Sequence, residues 1–195
     1  KVMHDGTGID EAFAGYKNHH AIYVNSLKDN DDAFLKALRE FSENWKITEV
    51  EARKICKNVS ENINVAIDGT ILTINDGLNH EQFYKKYNQK NINSNTDLHS
   101  RLISYFFKDK IPRNMRMKDR LSMAYGIELR LPFLDHRLIE YALSLPSWMY
   151  FINGRTKSII REAMKYRMNE QVRVSNKRSI QSPQIDWLRT EPMKT

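Results

Sequence analysis

The sequence predicts an α/β chain that is mainly α. Its 195 residues include only 7 Gly and 5 Pro, too few for a turn-rich β-sandwich. Apolar residues recur at helical spacing, most clearly Ala33, Phe34, Ala37, Leu38, Phe41 and Trp45. Helix-start residues stand just ahead of such stripes, while β-branched runs are few and short.

In chain order, Lys1-Val2-Met3 reads as the end of a strand and Asp5-Gly6-Thr7-Gly8 as a tight turn. Asp10 to Tyr16 begins a helix. Asp29 or Asn30 caps the next one, which carries the Ala33–Trp45 stripe. Thr48 and Glu51 form a capping box for a helix with Ile55 and Val59 inward. Two β-branched runs between Ile63 and Ile74 flank Asp68-Gly69, a hairpin signal. Residues 75–96 are rich in Asn, Gln, Lys and Asp and read as surface. Leu98, Leu102, Ile103, Phe106 and Phe107 make a helical stripe that Pro112 ends, and Lys118 to about Tyr125 is a short helix. Pro132-Phe133-Leu134 is extended or turn. Asp135 then caps a helix with Leu138, Ile139, Ala142 and Leu143 inward, and Thr156 to Met168 is another. Arg173–Ser182 is polar and basic, without periodicity.

A chain of 23.0 kDa is one domain, or most of one, and buries roughly 70% of its unfolded surface. Its one cysteine, Cys56, excludes an internal disulfide and a Cys-rich zinc site, and suits a reducing, cytoplasmic compartment. Cys56 falls on the apolar side of its helix and reads as packed core. The apolar runs are too short to span a bilayer, so no membrane partner is expected. A first residue of Lys1 rather than Met reads as a piece of a longer chain. The net charge of +7 is compatible with nucleic acid, but no aromatic-plus-basic stacking motif supports that ligand.

Three segments carry chemistry. Gly6, Thr7 and Gly8 form a turn whose backbone N–H groups suit a phosphate, and Asp10 and Glu11 follow at once. Carboxylates beside phosphate need a cation between them, and Mg²⁺ bridges the two oxygens in that way. Without a ligand, the same two acids would simply complement a helix start. Arg116, Asp119, Arg120, Glu128 and Arg130 alternate in sign around apolar residues and read as an ion-pair network supporting the Pro132–Asp135 turn. Ser175-Asn176-Lys177-Arg178-Ser179 is a cationic loop, either solvated or facing polyphosphate.

Together these segments resemble the asparagine synthetase family. "VMHDGTGIDEAFAGY" (residues 2–16) is similar to the family turn SG-x-G followed by DE-x-F-x-GY. "DRLSMAYGIELRLPFLDHRLIEYALSLP" (119–146) resembles the family's most recognisable run, and "NGRTKSIIREAMK" (153–165) the helix carrying K-x-x-x-R-E-A-M. The resemblance covers most of the chain apart from an insertion at about 60–95. It implies that residues 1–195 are the C-terminal, mainly helical portion of an adenine-nucleotide α-hydrolase-like, ATP-pyrophosphatase synthetase domain. It implies ATP and Mg²⁺ as cofactors, with adenylation of an aspartate carboxylate followed by attack of ammonia derived from glutamine. Asp10 is then a Mg²⁺ ligand, Gly6, Thr7, Gly8 and Glu11 belong to the pyrophosphate cradle, and Lys177 stabilises charge in the transition state. The upstream part of the same enzyme would be a partner, and a homodimer is compatible with this reading. Another carboxylate as acceptor is the alternative within the class; a catalytically dead helical binding module is the alternative outside it.

The chain also departs from the family pattern. No two glycines are adjacent, so the family's SGG-x-DS phosphate loop is absent, as is the glutaminase half with its N-terminal cysteine. Asp5 stands where the family often has Ser, Thr7 where it has an acid, and Ser179-Ile180 where it usually has Gly-Phe. The isolated chain is therefore expected to be inactive.

Overall fold

Strand β1 (Val2–His4) pairs in parallel with β2 (Glu128–Arg130), Val2 opposite Glu128 and His4 opposite Arg130. The computed structural model describes residues 1–61, 97–108 and 110–177. The hairpin expected within Ile63–Ile74 and the polar stretch 75–96 lie outside the described residues, as do 178–182 of the basic stretch. Parallel neighbours need a long crossover, and the described part of this one is helical.

Beyond β1 the Asp5–Gly8 turn leads into α1 (Ile9–Ala12), which is shorter than the helix expected from Asp10 to Tyr16. Ala14 takes a left-handed conformation, with φ +52°, and the Gly15 N–H closes back on the Asp10 carbonyl at 2.8 Å. A Cβ on Gly15 would lie 1.9 Å from Asp10 Oδ1. The helix stops so that the chain can pass tightly beneath that carboxylate.

Helix α2 (Lys17–Ser26) has no amphipathic stripe, because it buries polar His19 and His20 together with Ala21, Ile22 and Val24. Asn30, rather than Asp29, caps α3 (Asp31–Trp45): its Oδ1 accepts from the Ala33 N–H at 3.1 Å. The expected capping box opens α4 (Glu49–Glu61), with Glu51 N–H donating to Thr48 Oγ1 at 3.2 Å and Thr48 N–H to Glu51 Oε2 at 3.1 Å. Asp97 caps α5 (Leu98–Phe107), which buries Leu98, Leu102, Tyr105 and Phe106. Ile103 and Phe107, expected inward, are exposed.

Helix α6 (Lys110–Ala124) corrects two expectations at once. Pro112 lies in its first turn, where the missing N–H costs nothing, so it helps begin this helix rather than ending α5. The helix is also longer than the expected Lys118–Tyr125. Pro132–Leu134 is a single 3₁₀ turn, and Asp135 caps α7 (His136–Ser144) by accepting from the Arg137 N–H at 2.9 Å. Helix α8 (Ser158–Ala163) is shorter than the expected Thr156–Met168; the chain then turns through Tyr166 at φ +63°. A short α9 (Glu170–Arg173), capped by Asn169, had no periodicity to announce it.

Two buried apolar clusters meet along α2. One centres on Ala12, Phe13, Leu102, Phe106, Ala142 and Phe151, the other on Val24, Leu38, Phe41, Ala52 and Cys56. Tyr23 and Val59 pack against both. Cys56 is core, as expected, and burial pushes its thiol up to about 12. No helix among the described residues is long and apolar enough to cross a membrane.

Candidate active site

The site gathers around Asp10. Its carboxylate is mostly buried, with 12% of the side chain exposed, and two ammonium groups converge on it. Lys177 donates to Oδ2 at 2.7 Å. Lys157 lies 2.8 Å from Oδ1, an ion pair that lacks hydrogen-bond direction. Burial works to raise the Asp10 carboxyl, but the two lysines outweigh it and hold the group below its ordinary range. Lys157 itself has a left-handed backbone, φ +57°, at the cap position of α8, and this turns its side chain back toward α1.

The adjacent carboxylate faces the other way. Glu11 is 3% exposed and accepts from the Tyr16 hydroxyl at 2.6 Å. Lys110, on α6, lies 3.8 Å from Glu11 Oε1 and 3.4 Å from the centroid of the Tyr16 ring, a buried cation–π contact. Glu11, expected in the pyrophosphate cradle, is buried and paired with Tyr16 and Lys110. Two neighbouring acids thus divide: Asp10 meets cations from late in the chain, and Glu11 anchors the turn from inside.

The turn is fixed from a third direction. Asp5 Oδ1 accepts from the Thr7 N–H at 2.7 Å, and Lys118 Nζ reaches Asp5 Oδ2 at 2.6 Å and Thr7 Oγ1 at 2.5 Å. Burial raises the Asp5 carboxyl, but Lys118 and Thr7 lower it further, so the net shift is down. Gly6 faces open space. Gly8, at φ +106°, packs where a Cβ would sit 2.5 Å from Leu134 Cδ2 and 3.3 Å from the Phe133 carbonyl. This contact places the Pro132–Asp135 turn beside the glycine turn. The expected supporting network does not do so. Arg130 pairs with Glu128 at 2.9 Å on the same strand, with side chains 59% and 60% exposed. Arg116, Asp119 and Arg120 are exposed as well. Glu128 and Arg130 lie on β2 and Arg116, Asp119 and Arg120 on the exposed side of α6, so these five charges form no buried network.

Lys157 and Lys177 also line a cleft of about 330 Å³ with Ile9, Arg161, Met164 and Arg173. Arg161 is held by the Thr156 carbonyl at 2.8 Å and by the Arg173 carbonyl. Lys110, Lys118 and Lys157 were not singled out by sequence reasoning. Lys110 and Lys118 share α6 with several other cations, and only their reach to Glu11 and Asp5, far away in the chain, marks them. The K-x-x-x-R spacing at Lys157 and Arg161 was the one available signal.

The arrangement suits a polyphosphate. Two flexible ammonium groups face a single carboxylate, leaving an excess positive charge beside a turn with open backbone. Among the described residues no three acids, histidines or cysteines cluster as a metal cage. A cation would therefore have to share Asp10 with ligand oxygens. Mg²⁺ is commonly held in that way, by one or two carboxylates plus substrate phosphates. Asp10 Oδ1, buried without a directed hydrogen bond, fits this role.

Comparisons with known proteins agree with these motifs. A family model described as asparagine synthase matches residues 1–195. The glutamine-hydrolysing asparagine synthetase 3 of Bacillus subtilis is 46% identical over 48 residues, which is 25% of this chain and 8% of that protein. The glutamine-hydrolysing asparagine synthetase of Homo sapiens is 50% identical over 48 residues, 24% of this chain and 9% of its own length. The matched stretch is thus under a tenth of each of these relatives. No solved structure matches.

Proposed function

Because this chain belongs to the asparagine synthase family, we propose that it forms part of an ATP-dependent amide-forming ligase acting on aspartate. In that reaction the aspartate carboxylate is adenylated with release of pyrophosphate, and ammonia displaces AMP to give asparagine. The observation that supports the reading best is Asp10 held between Lys157 and Lys177. In the complete enzyme the two ammonium groups move from Asp10 onto the departing phosphates, and Asp10 is left free to ligate Mg²⁺. When bound, that ion neutralises phosphate charge and orients the leaving group. Lys177 follows the negative charge that grows on the phosphorus oxygens. Glu11, Tyr16 and Lys110 keep the turn in register beneath them. The remainder of the cradle, including a second phosphate loop, comes from the preceding part of the same polypeptide. By this reading residues 1–195 alone are inactive.

The test is ATP–pyrophosphate exchange with aspartate in the full-length protein. Lys177→Met should lower kcat roughly 10²–10³-fold with little change in the KM for ATP, since a contact made only in the transition state moves kcat. No exchange by the unmodified protein with any carboxylate substrate would rule out a ligase. A raised KM at constant kcat would reduce Lys177 to simple binding.

A further inference from the structure

Asn153-Gly154 is the one Asn-Gly pair in the sequence. It forms the centre of a tight turn, in which the Arg155 N–H donates to the Ile152 carbonyl at 3.3 Å. Both central residues are left-handed, Asn153 at φ 53°, ψ 38° and Gly154 at φ 68°, the type I′ conformation that Asn-Gly favours. Such a pair carries its own chemistry. The glycine nitrogen attacks the asparagine Cγ, the bond from Cγ to the side-chain nitrogen breaks, and the glycine proton passes through solvent to the departing ammonia. Water then opens the cyclic imide at either carbonyl, giving aspartate or isoaspartate. Ring closure needs the Gly154 nitrogen on the same side of the Cα–C bond as the Asn153 Cβ. At ψ 38° that nitrogen lies almost opposite Cβ, by the tetrahedral geometry of an L-residue. Three contacts oppose the rotation that would bring them together. The Gly154 N–H donates to the Phe151 carbonyl at 2.9 Å. Gly154 packs on α3 so closely that a Cβ would lie 2.5 Å from Glu40 Cβ and 3.0 Å from the Glu40 carbonyl oxygen. Buried Ser158 holds the residues on either side of the pair, its hydroxyl shared between the Arg155 carbonyl at 2.6 Å and the Ile152 carbonyl at 3.2 Å.

We infer that Asn153-Gly154 is a deamidation site that the native fold holds closed, so that a chain which has opened there is marked covalently. Asn153 is exposed, so water reaches its side chain once the turn opens. Aspartate tolerates the left-handed conformation and can resume the turn. Isoaspartate cannot, because it routes the backbone through Cβ and lengthens it by one atom, which displaces Gly154 from Phe151 and Glu40. The turn leads directly to Lys157, itself left-handed and 2.8 Å from Asp10, so the mark also unsettles that ion pair. The inference does not depend on the ligase reading.

The experiment incubates the full-length protein, folded and in guanidinium, at the same mildly alkaline pH. The tryptic peptide Leu138–Arg155 has Asn153 as its single asparagine and contains no glutamine. Mass spectrometry of that peptide therefore reads the exchange of NH₂ for OH at this residue alone, and methyl transfer by an isoaspartyl methyltransferase counts the isoaspartate. Reaction in the folded protein should be at least roughly tenfold slower than in the unfolded chain, because the turn must open first. Ser158→Ala, which frees the Ile152 and Arg155 carbonyls, should react severalfold faster than the unmodified folded protein. If that variant does not fold, the two states of the unmodified protein decide alone. Equal rates in the two states would overturn the closed turn, and an unreacted Asn153 in guanidinium would overturn the site. Returned to native buffer, the isoaspartate-bearing fraction should melt below unreacted protein carried through the same cycle. Equal melting temperatures would overturn the mark's effect on the fold.

Discussion

Gly15 sets the position of the Asp10 carboxylate. The space a Cβ would take is filled by Asp10 Oδ1 at 1.9 Å and Asp10 Cα at 2.9 Å, so one atom of the carboxylate and part of its backbone occupy what any larger residue needs. Gly15→Ala should push the carboxylate out from between Lys157 and Lys177. Overpacking of this kind typically costs about 1–3 kcal/mol. A lowered melting temperature together with impaired exchange activity is expected. An unchanged melting temperature would mean that the backbone relaxes without moving Asp10. Gly6→Ala is the contrast: it meets nothing within 4 Å and should leave the melting temperature alone.

Among the elements, α2 carries an unusual burden. His19 and His20 are 0% and 1% exposed, and burial pulls both down to about 3, with Lys110 and Arg101 adding to the effect on His19. His20 accepts from Trp45 Nε1 at 3.2 Å and stacks on Phe151 at 4.6 Å; neither ring nitrogen of His19 has a hydrogen-bond partner. The unfolded chain protonates these groups near 6.5, the folded one near 3, so the unfolded state binds more protons in between. Stability is therefore full above about pH 6.5 and falls as pH drops toward 3, by roughly 1.4 kcal/mol per pH unit for each histidine. Guanidinium unfolding at pH 7 and pH 5 should differ by about 4 kcal/mol, and His19→Leu should halve the difference. A flat profile would mean that water reaches the rings. The same helix shows where the sequence stopped being legible. The capping box at Thr48, the Asn30 and Asp135 caps and the α3 stripe are local signals, and the structure follows them. Helix α2 is buried on most sides, so it has no stripe to read. The ends of α1 and α8 are set by contacts with Asp10 and by left-handed residues, which no local periodicity reports. Asp10 and Lys177 were legible from motifs; Lys110 and Lys118 were not, because their role lies in partners about a hundred residues away.

For the molecule as a whole, Asp10 joins the beginning of the described chain to its end. With both lysines present its folded pKa is depressed, so it adds stability above the ordinary carboxylate range and loses it as pH falls through the folded value. In Lys157→Met/Lys177→Met the sign reverses. Burial alone then raises the group, and the carboxylate is destabilising at neutral pH by about 3–5 kcal/mol. That deficit should shrink as pH falls toward 4 and the group protonates. Because the histidines act equally in both proteins, the difference in unfolding free energy between them isolates Asp10. A deficit independent of pH would place the cause in lost packing of the lysine stems.

The ties between α1 and the late loop also fix an order of events in time. Lys177 follows Asp10 by 167 residues. At synthesis rates of about 5–20 residues per second, roughly 10–30 s separate their emergence from the ribosome. Through that interval the nascent chain holds a carboxylate whose cations have not yet been made, next to apolar residues ready to collapse around it. The glycine turn and Lys118 can meet well before then, since 111 residues separate Thr7 from Lys118. Lys157 and Lys177 are therefore the last members of this cluster to arrive, and a copy whose translation is cut short before Lys157 keeps the Asp10 carboxylate with neither of its cations. Such an abortive product would carry an uncompensated buried charge and unfold more readily at neutral pH than the finished chain.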